Sequence, residues 1–131
     1  MSDVRPRRSV LYMPGANTRA LEKARTLPAD ALIFDLEDAV APDAKEAARA
    51  NVVAAAKSRA YGKREIAIRC NGLGTPWGKA DVAAIAVSGA DAILVPKVES
   101  AGDVAAIVAA LEGVGAPKSL AVWAIDRKSV V

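Results

Sequence analysis

Histidine is absent from the 131-residue chain, and cysteine occurs once, as Cys70. Without histidine there is no imidazole base, no Ser/His/Asp or Cys/His catalytic set and no His-ligated metal. A single cysteine excludes an intramolecular disulfide and a Cys-cluster zinc site. Aromatic residues are scarce: two Tyr, two Trp and one Phe. So few rings, with Lys and Arg scattered rather than striped, argue against nucleic acid as a partner. No run approaches the ~20 uninterrupted apolar residues that span a bilayer, so no membrane partner is expected. The N-terminus, MSDVRPRRSVLYMPG, is basic but has no apolar stretch of signal-peptide length before Pro14. The expected location is therefore the cytoplasm. Chemistry must rest on carboxylates, Arg, Lys, hydroxyls, backbone dipoles or a hard cation. A net charge of +3 tilts the chain modestly toward anionic partners.

What is there reads as one repeated theme. Ser9 to Tyr12 is a short apolar run closed by Pro14 and Gly15. Asn17 to Thr26 reads as a helix, with Ala20, Leu21, Ala24 and Leu27 on one face. ALIFD (Ala31 to Asp35) is a strand followed by acidic residues. Asp43 to Arg59 is Ala-rich and helical, and Asp43 with Glu46 has capping-box spacing. EIAIR (Glu65 to Arg69) is a strand, followed by the turn-rich NGLGTP. Trp77 to Val87 reads as a helix stopped at Gly89. AILV (Ala92 to Val95) is a strand, Glu99 to Leu111 a helix with Ser100 as a cap, and Leu120 to Ile125 a fifth strand.

The strands are continuous apolar runs rather than alternating ones, the pattern of a parallel sheet covered by helices. A doubly wound sheet and part of a (β/α)₈ barrel both fit. The first strand–helix turn, Tyr12-Met13-Pro14-Gly15-Ala16-Asn17, lacks the G-x-G-x-x-G of a dinucleotide fold. Polar residues gather at the C-terminal ends of the strands: Asp35, Glu37 and Asp38; Arg69 and Asn71; Lys97 and Glu99; Asp126. In a parallel barrel these ends share one rim, where catalytic groups sit.

Four segments carry a family resemblance: RSVLYMPGANTRALEKA, ADALIFDLEDAVAPDAKEAARANV, IAIRCNGLGTPWGKAD and GADAILVPKVESAGDV. In this order, DLEDAV…K…AR, R-x-N-G and PKVESA resemble the HpcH/HpaI aldolase–citrate lyase β-subunit family, and within it the CitE-like branch. The resemblance runs from about Arg8 to Trp123. It implies a (β/α)₈ TIM barrel, of which this chain holds about the first five strands and four helices. It also implies an oligomeric Mg²⁺-dependent CoA-ester lyase of the citryl-CoA or malyl-CoA type. Such an enzyme cleaves or forms a C–C bond between an acyl-CoA and a small oxo acid. Arg69 matches the arginine that binds the substrate carbonyl or carboxylate. A planar guanidinium suits an adjacent carboxylate and carbonyl, and a hard cation acts as Lewis acid on the same oxygens.

Each candidate has a plainer reading beside the functional one. Arg69 either binds substrate or pairs at the rim with Glu37 or Asp38. Glu37 and Asp38 either hold substrate or metal-bound water, or orient Arg69 or Lys97. Asp35 reads as an inward polar group at the strand end. Lys97 either pairs with these carboxylates or acts as a direct catalyst. Asn71 and Gly72 shape the loop for close backbone approach. Tyr12 and Lys23 lie where the family touches CoA, though a lone helical Lys is usually only solvated. Pro14-Gly15 opens an anion-binding helix N-terminus. Cys70 reads as a buried, inert thiol.

The C-terminus departs from the pattern. The family places its metal ligands as a Glu just after strand 5 and an Asp after strand 6, and the chain ends AVWAIDRKSVV. Asp126 lies about one residue out of register with that Glu and differs in type. A full barrel takes ~250 residues, so residues 1–131 are expected to form a single partial barrel domain, truncated after strand 5. Its sheet edges and inner face are expected to be open, and the chain to self-associate, unfold partly or aggregate. Two other functions stay open: a non-catalytic half barrel, and an HpcH-type divalent-metal pyruvate aldolase.

Overall fold

A computed structural model describes residues 10–26, 30–37, 40–58, 65–98 and 101–126, with side chains described at all of these except 96–98, 101–103 and 124–126. Five strands alternate with four helices: β1 (Val10–Pro14), α1 (Thr18–Lys23), β2 (Ala31–Asp35), α2 (Lys45–Ser58), β3 (Glu65–Arg69), α3 (Gly78–Ala86), β4 (Ala92–Val98), α4 (Ala101–Gly113) and β5 (Ala121–Asp126). The sheet order is β1-β2-β3-β4-β5, with every pair parallel. This order decides between the two architectures. A doubly wound sheet reverses its direction of growth at a switch point; here each strand is added beside the last, as in a (β/α)₈ barrel.

Register assigns each strand two faces. Leu32 and Phe34, Ile66 and Ile68, and Ile93 and Val95 join Leu21, Ala48, Val52, Val82, Ile85 and Ile107 in the main core. Full burial of such a side chain stabilises by ~1.5–3 kcal/mol. The alternate positions Ile33, Ala67, Ala92 and Leu94 form a second cluster with Trp123 packed against it. These four are buried, so the middle of the inner face is closed. The same face is open at β1, the edge strand, where Val10 and Tyr12, the register partners of Ala31 and Ile33, are 38% and 48% exposed.

Most element positions follow the sequence reading; some ends differ. In α1, Asn17 is the N-cap, its Oδ1 accepting from Ala20 N at 3.0 Å, but the helix closes at Lys23, with a turn over 24–26. Asp43 is not the cap of α2. A 3₁₀ turn, Pro42–Ala44, precedes the helix, with Ala41 at its N-cap and no side-chain capping bond. Proline is suited to that start because its missing N–H would have no partner there. Strand β4 continues past Val95 to Val98, with a register shift against β5 between Val95 and Val98. Helix α4 begins at Ala101, and Glu99 and Ser100 lie outside the described residues, as do Ser9, Leu27 and Arg59. It ends in a Schellman turn: Ala116 N donates to Leu111 O, Gly115 N to Glu112 O, and Gly115 has φ +72°. Among the described residues no helix is long and apolar enough to cross a membrane.

Candidate active site

Asp35 and Arg69 end β2 and β3 and are direct register partners. Paired residues on parallel strands point to one face, so the two side chains meet at the inner rim. Arg69 Nε donates to Asp35 Oδ1 at 2.8 Å and Nη2 donates to Oδ2 at 2.7 Å. This is the two-pronged geometry that fixes a guanidinium in plane. Asp35 is 1% exposed, whereas the Arg69 side chain retains 17%. Asp35 Oδ1 also accepts the backbone N–H of Glu37 at 2.8 Å. Glu37 Oε1 stands 3.9 Å from Arg69 Nε, and the Tyr12 ring centre lies 5.4 Å from the Arg69 guanidinium carbon. The expected rim pairing of Arg69 with Glu37 is present at this longer range, and Asp35 is added as a closer partner. Asp35 is the principal partner because the register sets it alongside; Glu37 contributes at longer range, and Asp38 lies outside the described residues.

Beneath the rim is a polar network that the sequence reading did not assign. Lys45 Nζ donates to Leu36 O at 3.1 Å, Glu37 O at 2.9 Å and Asn71 Oδ1 at 2.8 Å. Asn71 Nδ2 donates to Leu36 O and to Asp81 Oδ2, and Asn71 N donates to the same Asp81 oxygen at 2.9 Å. Arg49 Nε donates to Asp81 Oδ1 at 2.8 Å. Asn71 therefore ties the loops after β2 and β3 together by its side chain. A signal was present in the sequence. Lys45 heads the buried stripe Lys45, Ala48, Val52, Ala56, and Asp81 shares a buried stripe with Gly78, Val82 and Ile85. A charged residue in such a stripe must find a buried partner.

Cys70, between Arg69 and Asn71, is buried just beyond β3, with Sγ 3.7 Å from Leu94 O. Burial first, then the charge of Asp81, pushes its thiol up to about 12 from an ordinary 9.0. The inert-thiol reading holds. A folded-state value above the unfolded one stabilises fully below pH 9, and that contribution is lost as the pH climbs toward about 12. We expect the unfolding free energy of wild type, from urea titrations, to fall between pH 9 and 11 relative to Cys70→Ala, by about 1.4 kcal/mol per pH unit at most. Equal slopes for the two proteins would refute the assignment.

The sequence profile of the HpcH/HpaI aldolase/citrate lyase family matches residues 8–117. The chain belongs to this family. It is 55% identical over 104 residues to a (3S)-malyl-CoA thioesterase of Cereibacter sphaeroides, covering 79% of this chain and 36% of that protein. It is 43% identical over 100 residues to citrate lyase subunit beta of Escherichia coli, covering 76% and 33%. CitE of Mycobacterium tuberculosis, solved with magnesium, acetoacetate and coenzyme A, superposes with a TM-score of 0.58 at 31% identity, covering 75% of this chain and 35% of CitE. The chain spans about a third of the length of the curated relatives it matches.

Lys23 is exposed in the last turn of α1. Lys97 and Asp126 lie in β4 and β5, and their side chains lie outside the described set. Among the described residues no group of three or more Cys, Asp or Glu forms a metal site. Asp35 already directs both oxygens to Arg69. Among the described residues the rim thus offers no complete magnesium ligand set, and the Asp126 side chain lies outside them.

Proposed function

We propose that the chain supplies the oxo-acid-binding part of a CoA-ester lyase of the citryl-CoA or malyl-CoA type. The supporting observation is the Arg69 guanidinium, locked by the Asp35 fork at the strand ends and still reaching solvent. In the cleavage direction the hydroxy acid's alcohol loses its proton and becomes the oxo acid's carbonyl. The C–C electron pair passes to the acyl-CoA as a thioester enolate, which then takes a proton. Arg69 holds the carboxylate beside the new carbonyl, and its fixed plane orients that end for bond cleavage. The Tyr12 ring walls the same guanidinium, and Lys23 keeps the CoA contact that the resemblance implies. Magnesium enters this reading through CitE, whose structure holds it. Among the described residues at the rim, Asp35 is engaged by Arg69, which leaves Glu37 as the carboxylate beside it. A homo-oligomer belongs to the same proposal: β1 is an edge strand with Val10 and Tyr12 exposed, and an edge invites another strand.

The 55% identity to a malyl-CoA thioesterase favours a second reading, in which water cleaves the thioester. Product analysis separates the two. With malyl-CoA and Mg²⁺, lyase action gives acetyl-CoA and glyoxylate; hydrolysis gives malate and a free thiol. Either activity is expected to fall at least ~100-fold in Arg69→Ala, the scale of losing a charge-stabilising donor. Folded chain that turns over neither citryl-CoA nor malyl-CoA would refute both readings and favour the non-catalytic half barrel.

A further inference from the structure

Lys45 is the point at which the two rim loops meet. An ammonium carries three donors, and the structure gives Lys45 three acceptors, two on the loop after β2 and one on the loop after β3. All three acceptors are neutral. The Trp77 ring stands over Nζ at 5.1 Å, and the residue is 6% exposed. Burying an ammonium among neutral groups carries a large desolvation penalty, and an apolar side chain would fill the same place without it. What the lysine adds is three fixed N–H directions.

Those directions lead to Arg69. Lys45 holds the Glu37 carbonyl at 2.9 Å, and the N–H of the same residue donates to Asp35 Oδ1. That oxygen also receives Arg69 Nε. Through Asn71, two residues after Arg69, Lys45 reaches the loop that follows β3. We propose that Lys45 is a positioning residue for Arg69, acting through Glu37 and Asp35. It fixes the loop that orients the Asp35 carboxylate, and so sets the guanidinium plane; its effect on substrate rests on the lyase reading above.

The test is made on the full chain and needs no turnover. The Arg69 Nε–H resonance, assigned by its loss in Arg69→Lys, reports the fork directly through its exchange with solvent. Lys45→Met is expected to speed that exchange and to weaken oxaloacetate binding, each by about tenfold or more, the usual scale for loss of an orienting contact. Ile107→Ala, a core change on α4, which packs against α3, β4 and β5, serves as the destabilised control and is expected to leave both readouts near wild type. Lys45→Gln, which keeps an amide donor, is expected to restore part of the protection and carries the same test should Lys45→Met not fold. Folded Lys45→Met with wild-type exchange at Arg69 would overturn the proposal, as would folded Lys45→Gln with wild-type exchange where Lys45→Met does not fold. If wild type fails to bind oxaloacetate while Arg69 exchange still responds to Lys45, the lyase reading fails and the positioning role stands.

Discussion

Asp81→Ala is expected to lower the stability of the fold by about 3–5 kcal/mol, the cost of breaking a buried charge pair by removing one partner. Asp81 is fully buried and accepts from three donors: Arg49 Nε, Asn71 N and Asn71 Nδ2. Arg49 is partly exposed and can turn toward water. The backbone N–H of Asn71 cannot, and a buried donor without a partner forfeits its full solvation. Thermal unfolding followed by circular dichroism should show the midpoint falling by roughly 10–20 °C for a domain of this size. Asp43→Ala serves as the comparison, because Asp43 is exposed in the 3₁₀ turn and should stay within about 0.5 kcal/mol. A midpoint for Asp81→Ala within a few degrees of wild type would mean that the network contributes little.

Gly78→Ala should have a comparable effect by a different route. Gly78 opens α3, and a methyl there would collide with the carbonyl oxygen of Gly72. It would also lie 2.7 Å from both the Gly72 carbonyl carbon and Leu73 Cα. These are backbone atoms, so no flexible side chain can move aside. The Gly72 carbonyl is already held by Thr75 N at 3.0 Å and Thr75 Oγ1 at 2.6 Å. The loop and helix must separate, at a cost of about 3 kcal/mol, the upper range for overpacking. Gly74→Ala, with open space around the new methyl, should be nearly neutral. Equal melting points for the two variants would contradict this packing.

The sequence by itself determined the repeating strand–helix units, all four helices to within a few residues, the gathering of polar residues at the strand ends, and the family. These are local properties: an apolar run such as ALIFD or a stripe such as Ala48, Val52, Ala56 is written in consecutive residues. The R-x-N-G and DLEDAV segments likewise marked Arg69 and Asp35 before any contact was known. Only the tertiary structure decided that, among the described residues, Asp35 stands closer to Arg69 than Glu37 does. That choice depends on the β2–β3 register, which no single strand encodes. It also decided that Lys45, Arg49, Asn71 and Asp81 form one network. Their partners lie 10 to 32 positions apart along the chain, and a buried charge reveals its partner only once the helices close on the sheet. The inner face followed the same logic. Ile33, Ala67, Ala92 and Leu94 read as equally apolar in any sheet, and it took the sequential parallel order to pack them into one cluster beside Trp123.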